Sequence, residues 1–277
     1  MTAHSIPLAG VIGNPVAHSR SPRLHRHWLA RYGIAGDYVP LHVHEPDLAE
    51  VIRALPKAGF VGVNITIPHK VAVMELADQI SDRAILIGAA NTLIFRADGK
   101  IHADNTDGYG FIANLRQGAP AWNPAAGPAA VLGAGGAARA VIESLLEAGV
   151  PEILIANRTR NKAEALRQDF GARLIVVDWV QAGNMIDESA LVVNTTSLGM
   201  TGQAELRVPL DGLRPGQVVT DLVYSPLRTR LLAEADAAGC VTVDGLGMLL
   251  HQAVPAFERW FGVRPEVDEA LRAAVLG

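Results

Sequence analysis

Short apolar segments alternate with helical segments along nearly the whole chain. "IPLAGVIG" at 6–13 and "FVGVNITI" at 60–67 have the composition of buried strands, and between them a helix is predicted from Ser21-Pro22, with Ser21 as its candidate cap. The second half adds five apolar strand segments: "EILIANR", "RLIVVD", "ALVVNTTS", "VVTDLVY" and "CVTVDG". This alternation predicts an α/β fold whose sheets are mostly parallel.

A Pro/Gly/Ala-rich stretch at 116–130 separates two such series of elements. A chain of 277 residues is long enough for two domains. We therefore predict two α/β domains joined by this connector. The sequence leaves open whether the last helices, near 246–260 and 266–276, return to the first domain.

Charge and composition exclude several classes of function. The 24 basic and 28 acidic residues nearly cancel, and no block of like charge suggests a nucleic-acid surface. The longest uncharged run, 117–138, is interrupted by prolines and glycines, so no membrane helix is predicted. We expect a cytoplasmic protein that binds neither nucleic acid nor membrane.

Metal binding is not predicted either. The lone Cys240 excludes a site built from several cysteines. Five histidines occur in two groups without acidic or cysteine partners at ligand spacing: His18, His25, His27, His42 and His44. No metal is therefore expected.

The segment "VLGAGGAARA" contains a glycine-rich turn between an apolar strand and an amphipathic helix. Gly133, Gly135 and Ala138 follow the spacing G-x-G-x-x-A, which allows backbone N–H groups to approach a pyrophosphate at a helix N-terminus. This context favours dinucleotide binding over a purely structural turn, the alternative for this segment.

The next strand ends in "ANRTRNKA". NAD-binding sites usually have an acidic residue near this position, whereas this segment contains Arg158, Arg160 and Lys162 and no carboxylate. A guanidinium binds a 2′-phosphate well, so we predict NADP rather than NAD. A solvated basic loop is the alternative.

Polar side chains also collect where the strands of the first domain end. They are Ser19, Ser21, Asn64, Thr66, Lys70, Asn91, Asp104 and Asp107. Ligands gather at the carboxyl ends of parallel strands, and such side chains suit a polyhydroxylated ring. We expect Lys70 to donate a proton and Asp107 to be its charge partner. Taken singly, each has an ordinary alternative as a cap, turn or surface residue.

Taken together, these segments resemble one family. "GNPVAHSRSPRLH", "GVNITIPHK", "GAANTL", "DNTDGYG", "VLGAGGAARA", "NRT", "DLVYSPLRTRLL" and "GLGMLLHQA" occur in order and are similar to segments of shikimate dehydrogenase. The resemblance implies reversible NADPH-dependent reduction of 3-dehydroshikimate to shikimate in aromatic amino acid biosynthesis. It also implies a substrate domain, 1–106 plus 247–277, separated by a cleft from a Rossmann-like NADP domain, 107–246.

The resemblance assigns roles to individual positions. Lys70 and Asp107 are implied as catalytic. Substrate contacts are implied for Ser19, Ser21, Asn64, Thr66, Asn91, Tyr224 and Gln252. Cofactor contacts are implied for Asp82, Gly133, Ala134, Gly135, Gly136, Ala137, Asn157, Arg158, Thr159, Lys162, Leu222 and Gly245.

One position departs from the family pattern, because relatives often carry Arg where this chain has Lys162. We therefore expect Arg158 and Arg160 to supply part of the binding to the 2′-phosphate. Quinate or aminoshikimate dehydrogenase on the same scaffold, and a non-catalytic nucleotide sensor, are the alternative functions. The predicted partner is a small molecule, and the assembly is a monomer or a homodimer.

Overall fold

The computed structural model describes residues 6–277. Contacts within the chain define two compact units. Unit 1 comprises the chain up to Thr106 together with Gln252–Gly277, and unit 2 is Asp107–His251. The predicted second boundary, after position 246, differs from this division by one short helix, because Leu246–His251 packs with unit 2.

Within the described residues, unit 1 contains a six-stranded mixed sheet. Its strands are β1 Leu8–Gly13, β2 Asp37–His42, β3 Phe60–Ile65, β4 Gln79–Ile80, β5 Thr92–Phe95 and β6 Ile101–Asp104, in the order β2-β1-β3-β5-β6-β4. The pairs β1–β2, β1–β3 and β4–β6 are parallel, whereas β5 runs antiparallel to β3 and β6. The β5–β6 hairpin turns at Gly99, whose φ of +81° favours glycine.

Helices flank this sheet. They are α1 Ser21–Arg31, α2 Leu48–Ala54 and α3 Asp82–Ile87 from the first part of the chain. The prediction that Ser21 caps α1 is wrong, because Arg20 occupies the cap position and Ser21 begins the helix. Ser81 is a true cap of α3, since its hydroxyl accepts a hydrogen bond from the Ala84 N–H at 3.3 Å.

Unit 2 has a six-stranded sheet, counted over the described residues, in which all strand pairs are parallel. Its strands are β7 Ala129–Leu132, β8 Ile153–Ala156, β9 Leu174–Val177, β10 Leu191–Asn194, β11 Val218–Asp221 and β12 Val241–Val243. The order β12-β11-β10-β7-β8-β9 is that of a Rossmann fold, with the order of strands reversing between β7 and β10. Ligands of such folds bind at this reversal.

The strands of unit 2 are mostly apolar because both faces of the sheet are covered. Separate buried clusters lie on the two sides, one containing Val131 and Ile155 and the other containing Leu132 and Leu154. The covering helices are α4 Asp107–Gly118, α5 Gly136–Ala148, α6 Arg160–Phe170, α7 Ala182–Glu188, α8 Arg230–Ala237 and α9 Leu246–His251. This arrangement confirms the predicted Rossmann-like unit.

The end of the chain completes unit 1 with α10 Val254–Phe261 and α11 Glu269–Leu276. The indole Nε1 of Trp260 on α10 donates a hydrogen bond to the Leu93 carbonyl oxygen at 3.1 Å. A Cβ added at Gly62 of β3 would collide with this indole and with the Leu93 backbone. The glycine is therefore required for the close approach of α10 to the sheet.

Within residues 6–277, no helix has both the length and the apolar character needed to span a lipid bilayer.

Candidate functional site

The glycine turn of unit 2 lies at the reversal of strand order. Gly133 follows β7 with φ +107°, and an added Cβ would lie 2.7 Å from the Thr195 hydroxyl oxygen. Gly135 and Gly136 instead face open space, since a Cβ there would meet nothing within 4 Å. The thirteen-residue helix α5 starts at Gly136, so its unpaired N–H groups are available to an anion.

A cavity of ≈ 260 Å³ opens in front of this turn. It is lined by Gly133, Ala134, Gly135, Asn157, Arg158, Lys162, Trp179 and 195–198. Backbone N–H groups at one part of the lining and two cations at another suit a pyrophosphate and a further phosphate. The residues present therefore fit a phosphorylated dinucleotide.

The cations after β8 have different roles. Arg158 and Lys162 line the cavity. Arg160 instead forms ion pairs with Glu164, at 3.0 Å, and with Asp178. The expectation that Arg160 shares the phosphate is not supported by this geometry, because its guanidinium is already engaged by two carboxylates. Asn157 donates to the Thr159 carbonyl at 2.8 Å and shapes the same loop.

Trp179 and residues 195–198 also line the cavity, although the sequence did not identify them as site residues. The polar residues at the end of "ALVVNTTS" are the sequence signal that could have indicated this part of the lining. Asn194 Oδ1 accepts bonds from the Thr196 N–H, at 3.0 Å, and from the Thr196 hydroxyl, at 2.7 Å. These bonds fold the segment after β10 back toward the strand end, where it lines the cavity.

Asp221 at the end of β11 anchors this polar network. Its carboxylate accepts bonds from Asn194 Nδ2 at 2.9 Å, from the Val223 N–H at 3.0 Å and from the Thr229 hydroxyl at 2.7 Å. Burial raises the pKa of Asp221 to about 6, although these three hydrogen bonds oppose the change. One buried acid thus orders the segments that follow β10 and β11.

Two other predicted cofactor residues lie near this anchor. The Leu222 N–H donates to the Asn194 carbonyl at 3.0 Å. A Cβ added at Gly245 would collide with the Leu222 backbone, so the two segments pack without space between them. Tyr224 follows two residues later and is half-buried.

In unit 1, three predicted substrate residues are joined by hydrogen bonds. Asn64 Nδ2 donates to the Asn91 carbonyl and to the Thr92 hydroxyl, each at 3.1 Å. Asn91 Nδ2 in turn lies 3.4 Å from Gln252 Oε1. The structure therefore brings Asn64, Asn91 and Gln252 together, although 161 positions separate the last two.

Local hydrogen bonds fix the segments that carry Lys70, Thr66 and Ser19. The Ala90 N–H donates to the Lys70 carbonyl at 2.8 Å, which fixes the Lys70 backbone beside the segment that carries Asn91. The Thr66 N–H donates to the Ile12 carbonyl at 2.9 Å, at the end of β1. Ser19 Oγ accepts from the Ser21 N–H at 3.3 Å.

The acidic candidates separate by environment. Asp104 is 2% exposed, and Arg83 donates to both of its oxygens, at 2.7 and 2.5 Å. Burial alone would raise the pKa of Asp104, but Arg83 and Ser81 outweigh it and hold the pKa below its usual value. Asp104 is therefore a structural residue. Asp107 is half-buried at the first position of α4, and Asp82 is exposed at the first position of α3.

Among residues 6–277, no group of three or more His, Cys, Asp or Glu side chains is arranged to hold a metal ion.

Comparison with known proteins places these sites in context. Residues 11–93 match the model of the shikimate dehydrogenase substrate binding domain, 124–201 match shikimate / quinate 5-dehydrogenase, and 245–275 match the shikimate 5′-dehydrogenase C-terminal domain. The chain is 71% identical over 271 residues to a shikimate dehydrogenase (NADP(+)) of Cereibacter sphaeroides, covering 98% of this chain and 97% of that protein.

Two solved structures are similar to this chain over nearly its whole length. Shikimate 5-dehydrogenase of Thermus thermophilus, in complex with NADP(H) and shikimate, is 37% identical with a TM-score of 0.86, and the match covers 98% of each chain. Quinate dehydrogenase of Corynebacterium glutamicum, in complex with NAD, is 32% identical with a TM-score of 0.91, covering 98% of this chain and 99% of that one.

These similarities extend over both units, so the protein is an oxidoreductase that uses a nicotinamide dinucleotide. More specifically, the chain belongs to the shikimate dehydrogenase family. Its cofactor is NADP.

Proposed function

We propose that this protein catalyses the reversible NADPH-dependent reduction of 3-dehydroshikimate to shikimate, with Lys70 and Asp107 as its acid–base residues. The observation that carries the proposal is the hydrogen-bonded set Asn64, Asn91 and Gln252 in unit 1, beside the backbone of Lys70. Neutral amides of this kind bind ring hydroxyls without burying an additional charge.

Each side of the reaction has its own residues. Gly133, Gly135 and the start of α5 hold the pyrophosphate, and Arg158 with Lys162 holds the 2′-phosphate. Gly136, Ala137, Thr159, Leu222 and Gly245 complete the lining of the dinucleotide site, and Asp82 remains a predicted contact. When bound, NADPH supplies the hydride that reduces the ring ketone.

Lys70 transfers the proton. As the ketone carbon gains a hydride, negative charge develops on its oxygen, and the ammonium of Lys70 stabilises that charge and donates the proton. In the oxidative direction the neutral amine accepts the proton back.

The substrate carboxylate is bound by Ser19 and Ser21. Their hydroxyls are neutral donors, so binding needs no buried guanidinium. Thr66 and Tyr224 supply further hydroxyls to the ring. The protein works in the cytoplasm on a small molecule, as a monomer or a homodimer, and light scattering after size-exclusion chromatography distinguishes these assemblies.

The substitution Lys70→Ala tests the central role. We expect the turnover number to fall by about 10²–10⁴-fold, because the transition state loses its proton donor, while KM for shikimate changes little. The matched control is Lys57→Ala, an exposed lysine of the same unit, which should leave both constants unchanged. Retention of normal turnover by Lys70→Ala would restrict Lys70 to a binding role.

Quinate dehydrogenase is the second candidate, since one structural relative bears that name. The absence of a carboxylate from the segment 157–162 favours an NADP enzyme over an NAD enzyme. Initial rates with shikimate, quinate and an aminoshikimate, each with NADP and NAD, separate these activities. Preference for quinate with NAD would contradict the proposal.

A further inference from the structure

Tyr38 lies behind the candidate substrate site. It is the second residue of β2 and is fully buried. Its hydroxyl donates a hydrogen bond to Asn64 Oδ1 at 2.8 Å. Burial raises the pKa of this phenol well above its usual value, although the Ser21 side chain opposes the change.

The hydrogen bonds of Asn64 distinguish its amide nitrogen from its amide oxygen. Its Nδ2 donates to the Asn91 carbonyl and to the Thr92 hydroxyl, and its Oδ1 accepts from Tyr38. The Asn91 carbonyl can only accept, so a flipped Asn64 amide would face it with a second acceptor. The Tyr38 donor and the Asn91 acceptor therefore fix one orientation of this amide.

The network continues beyond Asn64. The Thr92 hydroxyl donates to Asn91 Oδ1 at 2.9 Å, and Asn91 Nδ2 lies 3.4 Å from Gln252 Oε1. Tyr38, Asn64, Asn91 and Thr92 are each at most 6% exposed. At this depth a lost partner is not readily replaced by bulk water, so the orientations of these groups depend on one another.

Aromatic packing fixes the Tyr38 ring itself. The His25 ring is stacked on it, with ring centroids 4.0 Å apart and an interplanar angle of 2°. Trp260 packs on it at 6.3 Å. The phenol oxygen is therefore held at one place by side chains that do not belong to the candidate site.

We propose that Tyr38 is a positioning residue of the substrate site, whose hydroxyl orients the Asn64 amide toward a carboxylated, polyhydroxylated ring. This inference rests on the proposed function, because it assumes that Asn64 contacts the substrate. Tyr38 itself acts only through Asn64.

The substitution Tyr38→Phe tests the inference, since it removes one oxygen and keeps the ring that stacks on His25. We expect KM for shikimate to rise about 3- to 10-fold, the usual effect of one buried hydrogen bond. KM for NADP should stay within about twofold, because the dinucleotide cavity belongs to unit 2. A rise of both constants together would indicate general loss of structure and would overturn the inference.

Tyr32→Phe is the matched control. The Tyr32 hydroxyl accepts a bond from the Glu266 N–H at 3.0 Å and lies in the same unit outside this network. We expect no change in either KM. Thr92→Val is a second variant, because it removes the next hydroxyl along the network, and it should raise KM for shikimate alone as Tyr38→Phe does.

A double-mutant cycle with Thr92→Val separates positioning from a general structural effect. Tyr38 and Thr92 both hydrogen-bond the Asn64 side chain, so the double variant should raise KM for shikimate by less than the product of the two single effects. Multiplicative effects would overturn coupling through Asn64, and KM within about twofold for Tyr38→Phe would overturn the whole inference. Absence of shikimate oxidation by the unsubstituted protein would instead contradict the proposed function.

Discussion

His25 makes the stability of unit 1 depend on pH. It lies on α1 with no exposed surface, between Tyr38 and the edge of Trp28. Within the part of the chain that the structure describes, neither ring nitrogen has a hydrogen-bond partner. Burial therefore lowers the pKa of His25 from 6.5 to about 3.

The direction of the effect follows from this lowered pKa. The unfolded chain takes up a proton near pH 6.5, and the folded chain resists it down to about pH 3. The contribution of His25 to the free energy of unfolding is thus fully present above pH 6.5 and is lost as the pH falls. The complete loss corresponds to about 5 kcal/mol, of which about 2 kcal/mol disappears between ~pH 7.5 and ~pH 5.

The substitution His25→Phe removes this titration and keeps an aromatic ring in the cluster. Urea unfolding, followed by near-ultraviolet circular dichroism, gives the free energy of unfolding at a series of pH values. When the pH is lowered from ~7.5 to ~5, the free energy of unfolding of the variant should rise by about 2 kcal/mol relative to that of the unsubstituted protein. Other titrating groups are common to both proteins and cancel in the difference.

Phe257→Leu is the matched control for packing. Phe257 lies 5.9 Å from the His25 ring, and its truncation should lower stability by a similar amount at every pH. A plot of its free energy of unfolding against pH should therefore run parallel to that of the unsubstituted protein. A parallel curve for His25→Phe as well would refute the reasoning, because His25 would then not be the group that titrates.

Two further predictions concern unit 2. Burial raises the pKa of Asp221 to about 6, so its stabilising contribution is present below pH 3.8 and is lost as the pH rises through 6. When the pH is lowered from ~7.5 to ~5, Asp221 should add about 1.4 kcal/mol to the free energy of unfolding of the unsubstituted protein, and Asp221→Asn should lack this increase in the same urea experiment. An equal change in both proteins would contradict this prediction. Arg158→Ala should raise KM for NADPH about 10- to 100-fold and leave KM for NADH unchanged, whereas Arg160→Ala, whose guanidinium pairs with Asp178 and Glu164, should change neither constant in initial-rate assays. Equal effects of the two substitutions would contradict the assignment.

Local patterns in the sequence predicted most of the fold. Strand segments and the glycine turn depend on neighbouring residues, so they were visible without tertiary information. The Rossmann-like unit was implied by the family resemblance, whereas its strand order is seen only in the structure. The candidate site residues of unit 1 were predicted as members of one set, and the structure joins three of them.

Other features depend on which side chains meet across the fold. Asp104 and Asp107 are both turn-like acids in "ADNTDG", and only the pairing of Asp104 with Arg83 separates them. The engagement of Arg160 by Asp178 likewise joins α6 to a distant segment. The polar oxygen of Tyr38 was hidden in an alternating strand pattern, where a tyrosine is an ordinary buried residue.

The packing of Trp260 against Gly62 and Leu93 has a consequence for biosynthesis on the ribosome. Strand β3 leaves the exit tunnel early, yet the indole that covers it is polymerised only after the whole central segment. The central segment, Asp107–His251, has all its own strands available before then. The nascent polypeptide therefore completes this central segment before α10 emerges to cover the apolar face of the amino-terminal sheet.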